Sequence, residues 1–286
     1  MPACSQDFES LVLPDDHDWS RIGLRPGPEL HAGHQSRVFR ATQNGEAVVV
    51  KLTDGRLVDE SFTERVEITA SLAEMNPSVV GPLSIGSNAV TQFGPWLVVA
   101  YPLVVGNAPE VANERDVNQM ASTLATLHDS FARIDPTGLP PVAALRDVVA
   151  PTSEDGFGRP QLLHGDYSHT NVLRVNGQMR IFDFDDCGYG PVEFEIGNTL
   201  YMVLFGTTMT NNPQRYERFR SWFVDAYRSA SGLAVNDTAL ETAIGLRVEA
   251  LGRWVDDPRS APIGIRTASP QWRDKLRAFV ETNTKR

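Results

Sequence analysis

Residues 163–173 read LHGDYSHTNVL, so an acid, two histidines and an amide (His164, Asp166, His169 and Asn171) share one short stretch. Apolar residues precede His164 and a second apolar run starts after Asn171. The following RVNGQMRIF reads as a hairpin turning at Asn176-Gly177, a dipeptide suited to tight turns. The polar residues are therefore expected on a loop between strands, with Asp166 and Asn171 at its ends. Asp183 closes the second hairpin strand and can swing back beside them. Carboxylates and an amide gathered in this way are hard oxygen donors suited to magnesium, which completes its shell with water and phosphates. A further acid of the cluster can accept a hydroxyl proton. That division of labour belongs to kinase loops, where one Asp is the base and an Asn with another Asp hold the metal.

Such a cluster must be carried by larger elements, and 286 residues suffice for two lobes with separate cores. The first hundred residues hold β-rich runs: SRVFRA, EAVVVKL after the turn signal Asn44-Gly45, and WLVVAY after Gly94-Pro95. Between them, Val58 to Met75 predicts a helix with Phe62, Val66, Thr69, Leu72 and Ala73 on one face. From Glu114 onward the pattern is mostly helical, in DVNQMASTLATLHDSF, NPQRYERFRSWFVDAYRS, DTALETAIGLRVEALGRWV and PQWRDKLRAFVETN, with short strands only around 161–183. The expected fold class is α+β, with a β-rich N-lobe over residues 1–103 and a mostly helical C-lobe over 104–286.

Composition narrows the partners. Hydrophobic residues make up 41% and charged residues 22%, ordinary usage for a globular chain, and no apolar run approaches membrane-spanning length. A net charge of −10 and the lack of a basic stripe argue against nucleic acid and suit a cationic small molecule. Cys4 and Cys187 form no disulfide framework or zinc spacing, and the N-terminus lacks the pattern of a secretory signal, so a cytoplasmic location is expected.

HGDYSHTN followed by IFDFDD resembles the catalytic and metal loops of the aminoglycoside phosphotransferase family, whose fold is similar to that of protein kinases. The resemblance implies Asp166 as catalytic base, Asn171 and Asp183 as magnesium ligands, and His164 as the residue bracing the loop. The family usually has His-Pro where this chain has Ser168-His169, and His169 is given no role. ELHAGHQSRVFRA resembles the family's phosphate-covering hairpin, which implicates Gly33, His34, Gln35 and Ser36; as residues alone the stretch reads as an ordinary hairpin. Lys51, ending an apolar strand, is either a snorkelling lysine or, as the resemblance implies, the contact to nucleotide α- and β-phosphates. Glu64, at the edge of the helix's apolar stripe, would hold that lysine, with Glu67 as the alternative. WLVVAYPLVVGNAP would supply adenine contacts from Ala100, Tyr101 and Leu103, since Pro102 has no N–H.

In related enzymes C-lobe carboxylates pair with ammonium groups of the acceptor, which points to Asp185, Asp186 and Glu193; the same acids could instead cap the following helix. Glu195 stands near a position where the family usually has Asp. His128 and the stripe of Tyr216, Phe219, Trp222, Phe223 and Tyr227 read as core. The function implied is an O-phosphotransferase using ATP (or GTP) and Mg2+ on a hydroxyl of a small cationic antibiotic, conferring resistance by inactivation. A housekeeping kinase of the same fold, for choline, homoserine, a sugar amine or a protein hydroxyl, remains the alternative. A catalytically dead nucleotide-binding module and a metal-dependent phosphohydrolase are the competing classes.

Overall fold

The computed structural model of the protein describes residues 12–32, 36–134, 138–142, 145, 156–258, 261 and 263–284. The chain divides into two compact units: Met1–Ser71 with Val80–Val104, and Leu72–Val79 with Val105–Arg286. Leu72–Val79 sides with the second unit through its polar groups. There, Asn76 Nδ2 donates to Ser130 Oγ at 3.2 Å and Ile181 N donates to the Ser78 carbonyl at 2.7 Å.

The first unit holds α1 (Asp16–Arg21), β1 (Leu24–Ala32), β2 (Ser36–Gln43), β3 (Glu46–Asp54), most of α2 (Phe62–Met75), β4 (Thr91–Phe93) and β5 (Trp96–Pro102). Its strands form an antiparallel sheet in the order β1-β2-β3-β5-β4. Asn44 and Gly45 both take positive φ, 51° and 88°, between the paired residues Gln43 and Glu46. This is the geometry a two-residue hairpin needs to match strand twist. Alternation along β3 sends Val48, Val50 and Leu52 into a core with Phe39, Trp96, Val98 and Ala100. Lys51 pairs with Val99, which packs against Phe62 and Val66 of α2. The helix starts at Phe62 rather than Val58, because Asp59 ends the preceding turn: its carboxylate accepts from Ser61 N at 3.1 Å and pairs with Arg65.

The second unit contains α3 (Glu114–Phe131), β6 (Gln161–Leu163), β7 (Val172–Val175), β8 (Gln178–Ile181), β9 (Gly188–Gly190), α4 (Val192–Met209), α5 (Pro213–Ser231), α6 (Asp237–Asp256), α7 (Ile263–Arg266) and α8 (Pro270–Asn283). Asn176 and Gly177, with φ of 49° and 80°, turn β7 into β8 as their dipeptide requires. Most of the α5 stripe is core: Tyr216, Phe219, Phe223 and Tyr227 are buried, whereas Trp222, expected with them, is only half-buried. Periodicity does not mark α4, because it is buried on every side over most of its length and has no polar face to contrast with an apolar one. β6 pairs with β9 and β7 with β8, and the two small ladders fix both ends of the 164–171 loop. No helix among the described residues is long and apolar enough to cross a membrane.

Candidate active site

The loop carrying Asp166 is held by hydrogen bonds at nearly every residue. His164 is fully buried; its Nε2 donates to the Phe182 carbonyl at 3.0 Å and its Nδ1 accepts from Asp166 N at 3.3 Å. One imidazole thus ties the loop to the end of β8 and sets the backbone of Asp166. Gly165 turns the chain with φ +85°, and a Cβ there would lie 2.1 Å from the Asp186 carbonyl oxygen, so only glycine fits. Tyr167 donates its hydroxyl to the Met120 carbonyl at 2.8 Å, and Thr199 Oγ1 donates to the Tyr167 carbonyl at 2.8 Å.

Asp166 is gripped from two sides. Asn171 Nδ2 donates to the Asp166 carbonyl and to its Oδ2, both at 2.9 Å, and Asn198 Nδ2 donates to Oδ1 at 3.4 Å. Phe182 N donates to the Asn171 carbonyl at 3.2 Å, which brings the residue before Asp183 against Asn171. Asp183 is exposed and takes φ +68°, a left-handed conformation that costs a non-glycine residue energy and persists where surrounding structure enforces it. With the Asn171 amide nitrogen committed to Asp166, Oδ1 is the atom it can offer a cation. Among the described residues, no group of three or more His, Cys, Asp or Glu side chains is arranged to hold a metal ion. An amide and a carboxylate leave most of a coordination shell to water and phosphate, which fits magnesium rather than a caged ion.

The electrostatics set the acids apart. Burial pushes the Asp166 carboxyl above the usual range and Asp183 adds to the shift, while Arg247 and the Asn198 hydrogen bond oppose it. Asp186 is pushed up to about 6 by desolvation and by the charges of Asp166, Asp185 and Asp183. Because Asp186 keeps an exposed surface, the repulsion among these carboxylates is the sturdier cause. Asp185 is half-buried beside it. Glu193 behaves differently: it is 6% exposed and accepts from Gly158 N at 3.1 Å, an internal partner on a loop.

Sequence reasoning noticed Glu195 without finding its role, and it missed Asn198 and Arg247. Glu195 is 1% exposed and accepts from His164 N at 3.0 Å, Gly165 N at 2.6 Å and His128 Nε2 at 2.9 Å. His128, expected in the core, contacts the Tyr227 hydroxyl through Nδ1 at 2.7 Å. A glutamate inside an otherwise apolar helix was the signal, since a buried charge requires partners. Asn198 and Arg247 carried no such signal; the Arg247 guanidinium lies 5.3 Å from the Tyr201 ring centroid.

The remaining expected residues lie in the first unit. Lys51 is half-buried within β3, which runs on through Leu52 and Thr53 to Asp54, so it is an internal strand residue rather than a terminal one. Glu64 is half-buried in the first turn of α2 and Glu67 is exposed. Ser36 opens β2; Gly33, His34 and Gln35 lie outside the described residues. The Ala100 carbonyl accepts from Leu83 N at 2.7 Å, and Leu103 N donates to the Ala47 carbonyl at 3.4 Å, while Tyr101 pairs with Val49 in the ladder.

Comparison with known proteins bears on this arrangement. Residues 143–233, which span the Asp166 loop, Asp183, Asp185 and Asp186, α4 and α5, match the model of the phosphotransferase enzyme family, APH. That segment is similar to phosphotransferases. A comparison with curated proteins found no match. Among solved structures, the chain is similar to the amicoumacin kinase hAmiN in complex with AMP-PNP, Ca2+ and Ami, with a TM-score of 0.71, 16% identity, and 89% of this chain and 87% of that one covered. A microcompartment-associated aminopropanol kinase gives 0.68 at 16% identity, covering 91% and 90%. An aminoglycoside phosphotransferase from Alicyclobacillus acidocaldarius gives 0.59 at 13% identity, covering 91% and 92%. The matched segment thus sits in a kinase-like fold, an antiparallel sheet followed by a helical C-terminal part.

Proposed function

We propose that the protein is an ATP-dependent O-phosphotransferase acting on a hydroxyl of a small, cationic molecule, with Asp166 as the base. The observation that carries this reading is the double hydrogen bond from Asn171 to Asp166 together with the Asn171–Phe182 contact that draws Asp183 alongside. Base, amide ligand and carboxylate ligand are separated by function yet linked by structure.

In this reading Asn171 Oδ1 and Asp183 hold magnesium, which when bound neutralises triphosphate charge. Lys51, kept in place by Glu64, contacts the nucleotide phosphates, and Ser36 with Gly33, His34 and Gln35 covers them. Ala100, Tyr101 and Leu103 border the adenine. Asp166 Oδ accepts the proton of the acceptor hydroxyl as its oxygen bonds to the γ-phosphorus and ADP departs. Its raised affinity for protons suits that task, and catalysis is otherwise positioning and charge neutralisation. Asp185 and Asp186 attract the acceptor's ammonium groups. Glu193, buried with Gly158 N as its partner, is left out of the acceptor site.

Two acceptor classes fit the fold. An antibiotic, with resistance as the outcome, is supported by likeness to a kinase crystallised with amicoumacin; a small amino alcohol is supported equally by likeness to the aminopropanol kinase. The deciding experiment is ADP release in a coupled assay with ATP, magnesium and a panel of hygromycin B, spectinomycin, amicoumacin, 1-amino-2-propanol, choline and homoserine, with glycerol and inositol as neutral alcohols. Release stimulated by a cationic hydroxyl compound is the expected result. Stimulation by neutral alcohols alone would remove the cationic assignment.

A further inference from the structure

Asn198 lies in α4 between the loop brace Glu195 and the apolar Leu200, and it is 1% exposed. Its amide is only half used: Nδ2 donates to Asp166 Oδ1 at 3.4 Å, while the buried Oδ1 has no hydrogen-bond partner. An unmet buried acceptor lowers stability, and an apolar residue of similar size in so apolar a helix would avoid that cost. The orientation of the amide follows from Asp166, since turning it over would set two oxygens against each other.

A carboxyl group rotates in a broad well about its terminal torsion, so one donor leaves it free to swing. Asn171 engages Oδ2 at 2.9 Å and Asn198 engages Oδ1 from the other side. We propose that Asn198 is a positioning residue for phosphoryl transfer, which together with Asn171 fixes the rotation of the Asp166 carboxylate so that it receives the acceptor proton in one orientation. Asn198 touches neither substrate and acts through Asp166, so this inference rests on Asp166 being the base. The unpaired Oδ1 is a stability cost borne for that orientation.

The test uses the full chain with Asn198→Leu and Asn198→Ala, magnesium ATP, and as acceptor whichever of hygromycin B, spectinomycin, amicoumacin, 1-amino-2-propanol, choline and homoserine is turned over. Asn198→Leu is expected to match or exceed the unaltered protein in Tm, because the orphaned oxygen is gone. Its kcat should fall about 10²-fold, as for misplacement of a reacting group, with acceptor KM and ATP affinity unchanged. An unchanged kcat in either variant overturns the inference, as does a loss of kcat that tracks a loss of Tm or of ATP binding. A crystal structure of Asn198→Leu gives an independent answer: the Asp166 carboxylate should be rotated or present in several orientations, and one that stays in place refutes the assignment. Absence of turnover by the unaltered protein would defeat the reading of function, and the crystallographic result would still decide the role of Asn198.

Discussion

The Glu195 carboxylate accepts hydrogen bonds from the backbone N–H groups of two successive loop residues, His164 at 3.0 Å and Gly165 at 2.6 Å. A side chain from α4 therefore dictates the path of the loop just ahead of Asp166, and His128 Nε2 completes its shell at 2.9 Å. Glu195→Ala would strand all three partners in the interior. The expected loss is about 3–5 kcal/mol, the range for removing one member of a buried charged pair, read from urea unfolding. Loss of only a few tenths would mean the carboxylate is dispensable.

The same residue predicts an acid limb. Burial alone would raise the Glu195 carboxyl, but its bonds to His128 and the His164 backbone outweigh burial and hold it below its ordinary value of 4.5. A lowered carboxylate contributes stability above the unfolded-state value and loses it as pH falls through the folded-state one. The stability gap between the unaltered protein and Glu195→Gln should therefore be constant at neutral pH and shrink below 4.5. A gap that widens on acidification would contradict this.

Gly165→Ala tests the close approach of two loops. A methyl group there meets the Asp186 carbonyl oxygen at 2.1 Å in a backbone conformation alanine disfavours. The strain should cost about 1–3 kcal/mol or more, with a matching fall in Tm and loss of turnover. A variant as stable and active as the parent would show that the loop geometry is not needed.

Asp186 gives the opposite pH signature. A carboxyl raised to about 6 adds stability at low pH and withdraws it as pH rises through that value. Asp186→Asn removes the charge, so its Tm should exceed that of the parent above pH 6 and converge with it near pH 4. Magnesium should narrow the difference, because a cation at Asp183 offsets the same repulsion. Equal melting temperatures across the whole range would sink the repulsion argument.

Local rules made much of this legible in the sequence. Asn44-Gly45 and Asn176-Gly177 turn where their dipeptides require, and α3, α5, α6 and α8 lie on the periodic segments. The grouping of Asp166, Asn171 and Asp183 followed from hairpin geometry. What stayed hidden depends on contacts distant along the chain. α4 offers no periodic contrast, so the carboxylate it sends to His164 and the amide it sends to Asp166 could not be paired with their targets from spacing alone. The start of α2 shifted because Asp59 closes a turn with Ser61 and Arg65, a side-chain choice that apolar periodicity does not record.

Asp183→Ala addresses the metal. Removing the carboxylate leaves triphosphate charge uncompensated, so magnesium-dependent nucleotide binding measured by calorimetry should disappear while the fold is retained. A normal magnesium titration would displace Asp183 from the ligand set.

The central claim is transfer of a phosphoryl group to a hydroxyl with Asp166 as base, and Asp166→Asn measures it most directly. With magnesium, ATP and the best acceptor of the panel, the parent should yield ADP and an acceptor carrying one added phosphoryl group by mass spectrometry. The variant should bind ATP as tightly while turnover falls by a factor on the order of 10²–10⁴, the usual contribution of a general base. Parent activity that releases only free phosphate, or an Asp166→Asn protein that phosphorylates the acceptor at the parental rate, would contradict the account.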